Sequence, residues 1–289
     1  MTIAAAHESS ISTAELLQLL PEKSFESPLE LERFLDIDSK LGQMLMVTAG
    51  EVTLKGLDQL VRRRPEQVRL SANRLQVAET FTNRLARLCP WIRLAAVSGS
   101  TAYAGTKDDD DIDFFVVTDL NRLWVTLLIA MVGARLGRLR NRNLPTFCFN
   151  RITEEDECRD AFNLAREPLF AREALNLRVL RGRRYYRELI DSAAWMAGLF
   201  PGRYRQALDS TPFLSEETNN RHGIFWSVAN RVAMIILVPY TSLMSMWRNR
   251  RLERAGRIDA RFRTVFRRGF FAYESIKYDL LRDAYKEAF

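Results

Sequence analysis

At 289 residues the chain is long enough for one large domain or for two or three small ones. Hydrophobic residues make up 47% and charged residues 27%, values of a globular chain that exclude wholesale disorder. Three scattered cysteines (Cys89, Cys148 and Cys158) give no disulfide framework, and with only His7 and His222 beside them they give no zinc spacing. His7 falls in a soft tail and His222 in a polar loop, so the chemistry is expected to run on carboxylates.

The net charge of +7 is uneven. The first 60 residues carry ten acids against four bases, so the remainder is strongly basic. The cations of the whole chain are mostly arginine, 37 against 6 lysines. The guanidinium fork suits carboxylates and phosphates. Two readings stay open: solvated surface, or a polyanionic partner such as nucleotide, RNA or acidic lipid. The opening MTIAAAHESS lacks the basic and apolar regions of a secretory signal, which predicts a cytoplasmic protein.

In chain order, residues 1–10 read as a frayed tail. Ser12–Leu20 reads as a short helix stopped by Pro21, and Ser27-Pro28-Leu29-Glu30 opens a second with a serine cap and proline in its first turn. Ile37–Val47 reads as a third helix, followed by a strand-like Glu51–Gly56. Short helices followed by such an element read as a winged-helix-like unit or a plain helical cap. Leu57–Leu88 is a long helical pattern interrupted at Pro65.

At Pro90 the character changes. Trp91–Val97, Ile112–Thr118 and Thr146–Ile152 are compact apolar runs bounded by turn residues, as buried strands are. A helix from Arg122 to about Leu136 joins the last two. Glu154–Val179, Tyr185–Leu199, Gly223–Arg250 and Ile258 onward read as helical. The expected class is α+β: a small mixed sheet flanked by helices. The expected divisions are 11–62 (winged-helix-like), 63–90 (linking helix), 91–190 (catalytic) and 191–289 (helical).

The chemistry concentrates in Val97-Ser98-Gly99-Ser100 and Asp111-Ile112-Asp113. A strand delivering the chain to a Gly-Ser turn exposes backbone N–H groups that can hold phosphate oxygens, and Gly99 lets the phosphate approach. Residues i and i+2 of a strand share a face, so Asp111 and Asp113 form a pair of hard oxygen ligands suited to Mg²⁺ or Mn²⁺. Asp108 and Asp109 read as solvated. Tyr103 is read either as a base-stacking residue or as packing, and Arg122 either as a triphosphate contact or as a structural ion pair.

The stretch VSGSTAYAGTKDDDDIDFFVVTD resembles the signature of the DNA polymerase β-like nucleotidyltransferase superfamily: apolar strand, Gly-Ser, helical turn, then Asp-apolar-Asp on the next strand. More diffusely, Asn121–Trp124, Phe147–Asn150 and the C-terminal helix resemble uncharacterised bacterial and archaeal nucleotidyltransferase-domain proteins with an N-terminal winged-helix-like segment. The resemblance implies Mg²⁺-dependent transfer of a nucleoside monophosphate from an NTP such as ATP, with pyrophosphate release. It leaves the acceptor open among small molecule, tRNA and protein. It also implies a third carboxylate from a later strand. Here Thr146–Ile152 offers Asn150 at that place, an amide that can ligate but adds no charge, with Glu154, Glu155 and Asp156 just beyond. An active transferase and a degenerate nucleotide-sensing or nucleic-acid-binding regulator therefore both stand.

Val232–Trp247 is the most apolar segment, sixteen residues with an internal Pro239. It is shorter than the ~20 residues of a membrane span, which predicts a buried helix and no membrane contact. Arg248–Arg268 reads as a basic amphipathic helix, able to meet RNA or anionic lipid. The acidic N-terminal unit predicts no DNA reading, since phosphate contacts dominate that affinity.

Overall fold

A computed structural model describes residues 8–20, 24–210, 223–258 and 261–288; His7, Pro21 and His222 lie outside them. The chain is α+β, and its described residues form two sheets.

The N-terminal unit starts with β1 (Ile11–Ser12) and α1 (Thr13–Leu19), where Ser12 and Glu15 cap each other's backbone N–H. Next comes α2 (Pro28–Ile37), capped by Ser27 Oγ accepting from Glu30 N at 3.2 Å. The predicted third helix shrinks to α3 (Leu41–Met44), because Leu45–Thr48 forms β2, which pairs antiparallel with β3 (Glu51–Leu54). Ala49 and Gly50 both have positive φ, the backbone that a two-residue hairpin turn requires. The strand order is β1-β3-β2, and Ile11, Leu31, Leu35 and Val52 form a small core of their own. Ser9 and Ser10 are buried rather than frayed, Ser9 Oγ accepting from Arg64.

Helix α4 (Gln59–Leu88) runs through Pro65, where an interruption is predicted. Proline costs the helix a hydrogen bond and a clash. Burial of Leu60, Arg64, Gln67, Ser71, Arg74 and Ala78 along one stripe outweighs it.

The large sheet contains β4 (Ile92–Ser98), β5 (Ile112–Thr118), β6 (Phe147–Glu154) and β7 (Arg178–Arg181), joined by β8 (Phe262–Arg267) and β9 (Phe270–Ser275), in the order β7-β4-β5-β6-β9-β8. Only β5 and β6 are parallel, with α6 (Leu123–Arg140) as their crossover; α5 is the single turn Gly99–Ala102. One face, carrying Val97, Phe114, Val116 and Ile152, is covered by α4, α6 and α12 (Ile224–Arg254). The other, carrying Leu94, Ala96, Phe115 and Val117, is covered by α7 (Glu155–Leu164), α8 (Pro168–Leu175), α9 (Arg183–Ser192), α10 (Trp195–Leu199) and α11 (Pro201–Asp209). Helix α13 (Ile276–Ala288) follows β9.

Three expectations are corrected here. The Arg248–Arg268 segment is not one basic helix: α12 ends at Arg254, and Phe262–Ser275 is a hairpin completing the sheet. Several of its arginines are paired, Arg261 with Glu253 at 2.7 Å, Arg263 with Glu274 at 2.6 Å and Arg267 with Glu157 at 3.3 Å. The region 191–289 is therefore not purely helical, and the sheet draws strands from beyond residue 190. Lastly, the apolar helix is not buried, since Ile224, Phe225, Ile235 and Trp247 are among its exposed residues.

Candidate functional site

Strand pairing brings the sequence-predicted residues together at one end of the sheet. Ser98, the last residue of β4, stands opposite Asp113 near the start of β5. Ile112 and Phe114 point into the core on one face, so Asp113 points to the other. Gly99 leaves the strand with φ +65°, and a Cβ there would collide with the Asp113 carboxylate. Glycine is thus demanded twice, by the left-handed backbone and by the carboxylate. Gly99→Ala is expected to cost about 1–2 kcal/mol of backbone strain and to displace Asp113. A lowered melting temperature together with weakened divalent-metal binding checks this.

Asp111 and Asp113 open onto a cavity of about 340 Å³, also lined by Gly99, Cys148, Asn150, Glu173 and Arg248. The loop carrying the acids is clamped from α4: Arg74 donates to the backbone carbonyls of Lys107 (2.9 Å), Asp108 (2.8 Å) and Asp110. Asp108 and Asp109 point to solvent. Burial pushes the Asp113 carboxyl up to about 7, and repulsion from Asp111 adds to it; the Cys148 thiol, donating to it, works the other way. Asp111 is also raised by burial, opposed by Arg248 and by a hydrogen bond from Thr146. The cavity crowds carboxylates beside one arginine, the environment that a cation relieves.

The parallel β5–β6 pairing shifts register between Asp113 and Phe115, so Cys148, not Asn150, stands beside Asp113. Asn150 shares that strand face and lines the cavity. The acid that sequence reasoning missed is Glu173 of α8, which also lines the cavity. Burial raises its carboxyl, while a hydrogen bond from Tyr103 Oη (2.7 Å) and the charge of Arg172 oppose the shift. Tyr103 is engaged there and under the Arg172 guanidinium rather than open to a base. The position of Glu173, in a helix 60 residues beyond Asp113, carries no local sequence signal.

The other expected residues lie elsewhere. Ser100 faces a smaller cavity beside Ser9, Glu15 and Arg203. Arg122 sits past the opposite end of β5, buried at 3% exposure, donating to Asn121 O (2.8 Å), Ser227 Oγ (3.1 Å) and Gly223 O (3.4 Å) and stacking on Trp91. It is a structural tie, not a phosphate contact. Glu154 caps the start of α6 through Arg122 N and Leu123 N, and Glu155 faces Arg93, so neither supplies a third acid. Arg122→Ala is expected to destabilise the fold by about 2–3 kcal/mol, the scale of buried charged hydrogen bonds, with nucleotide affinity unchanged; thermal melts and nucleotide titration separate the two effects.

Two aspartates, an amide oxygen and a more distant glutamate form a set of hard oxygen donors. Among the described residues no three His, Cys, Asp or Glu side chains are grouped so as to hold a metal ion. An open two-carboxylate site fits Mg²⁺, which keeps waters and takes substrate phosphates as ligands. Compared with family models, curated proteins and solved structures, the chain matches none.

Proposed function

We propose that the chain is a metal-dependent nucleotidyltransferase, moving a nucleoside monophosphate from an NTP to an acceptor. The observation that carries this reading is the junction of β4 and β5: Gly99 pressed against Asp113, with Asp111 and Asp113 opening onto the same cavity. In this reading Asp111 and Asp113 hold Mg²⁺ or Mn²⁺, the Gly99 backbone admits the phosphates, and Arg248 offers them a cation from the rim. The bound ion would neutralise the phosphates and align the displacement. The acceptor oxygen forms a bond to the α-phosphorus, and the bond to pyrophosphate breaks. Glu173 lines the same cavity but is held by Tyr103 Oη, so the metal rests on the two aspartates.

A second reading rests on Asn150 and Cys148, which put no acid where β6 lines the cavity: a nucleotide-sensing protein that binds without transfer. Incubation with each labelled NTP and Mg²⁺ or Mn²⁺, in the presence of RNA and small-molecule acceptor mixtures, distinguishes them. The transferase reading expects pyrophosphate release that depends on Asp113; the sensing reading expects metal-dependent binding alone.

A further inference from the structure

Helix α12 wears its polarity inside out. The residues it buries against the body are Asn230, Ala233, Leu237, Thr241 and Ser245, mostly small or polar. Their polar groups are used there: Asn230 Oδ1 accepts from Val125 N at 3.0 Å, and Thr241 Oγ1 donates to Leu237 O at 2.8 Å. The outward face carries Phe225, Val228, Val232, Ile235, Ile236, Leu243 and Trp247, exposed by between 51% and 73%. A helix at a water surface has the reverse arrangement. The stripe recurs every three or four residues over about 33 Å, at 1.5 Å per residue, far beyond scattered surface hydrophobes.

The stripe ends in cations. Arg122–Ser227 and Val125–Asn230 bonds set α6 and α12 side by side and parallel. Their C-terminal ends therefore lie together, with Arg135, Arg138 and Arg140 from one, Arg142 just past its end, and Arg250, Arg251 and Arg254 from the other. Among the described residues none of these seven is in an ion pair. The one acid on the two helices, Glu253, is paired with Arg261. Helix α6 exposes further apolar side chains, Val132, Leu136 and Leu139.

We propose that this face lies flat on an anionic lipid surface, the apolar stripe entering the acyl boundary and the arginines meeting headgroups. A second copy of the chain would bring arginines against the same face without the acids to match them. RNA would supply the phosphates but has no use for a dry stripe, whereas an anionic bilayer supplies both. Trp247 sits where stripe meets arginines, the level at which tryptophan settles in a membrane interface. The helix is held in plane rather than spanning, since Asn230 and Asn249 tie its polar side to α6 and β8.

The test is flotation of the full chain with phosphatidylcholine vesicles, with and without phosphatidylglycerol. Binding to the anionic vesicles is expected, weakened by salt. Arg250→Gln with Arg251→Gln should lower partitioning on the order of twenty-five-fold, about fivefold per arginine. Ile235→Asp with Ile236→Asp should abolish binding at an unchanged melting temperature, since both side chains are exposed. No flotation with anionic vesicles, or flotation indifferent to the Ile235 and Ile236 substitutions, overturns the proposal. So does a stable dimer in solution that those substitutions dissolve, which would assign the face to a second copy.

Discussion

Replacing Asp113 by Asn is expected to weaken metal-dependent nucleotide binding by about 100-fold or more, since a charged ligand is lost where even an outer partner is worth 10–100-fold. The metal-free protein should respond in the opposite direction, and in a pH-dependent way. The Asp113 carboxyl titrates at about 7 in the fold, against about 3.9 in an unfolded chain. Between those values the folded chain holds a proton that the unfolded chain releases, so stability falls as pH rises through the window. Asp113→Asn removes that charge. Its melting temperature in chelator should exceed the wild-type value above pH 7, and the gap should close toward pH 4. Parallel melting curves across this range would show that Asp113 is not held as described.

The largest loss of stability is expected at Arg64, far from the acids in sequence. Its guanidinium, 7% exposed, donates to Ser9 Oγ (3.1 Å), Tyr103 O (3.1 Å), Ala104 O (2.8 Å) and Glu15 (3.1 Å). It thereby ties the N-terminal unit to the loop that follows Gly99. Arg64→Met leaves a carboxylate and two carbonyls without their partner, a loss of about 3–5 kcal/mol for a broken buried ion pair. A chain of this size should then melt roughly 10 °C lower. Nucleotide affinity should fall less than in Asp113→Asn, because the cavity's own ligands remain. A shift of only a degree or two would mean that the two parts are joined by other contacts.

The strands β4, β5 and β6 are legible because each is a short apolar run closed by turn residues. The i, i+2 spacing of Asp111 and Asp113 marks one side of the strand's start, Asp111 falling just before the first residue of β5. The β8–β9 hairpin is not legible in the same way. Ile258, Phe262, Val265 and Phe266 fit a helical period, while Phe262, Thr264 and Phe266 fit a strand period equally well; pairing of β9 with β6 decides between them. Helix α12 defeats a reading based on length alone. Its buried stripe, Asn230-Ala233-Leu237-Thr241-Ser245, is visible in the sequence as a helical repeat of small and polar residues, but its inward direction is set by Val125 and Thr264 on other elements. Cys148 and Glu173 reach the cavity through a strand register and a helix placement that only tertiary packing fixes.

Calorimetric titration of the full chain with non-hydrolysable analogues of ATP and GTP, with Mg²⁺ or in chelator, tests the central claim most directly when run beside Asp111→Asn and Asp113→Asn. The claim predicts saturable binding by the wild-type chain that requires the metal and is lost in both variants. Wild-type affinity in both variants, or binding indifferent to chelator, would contradict it.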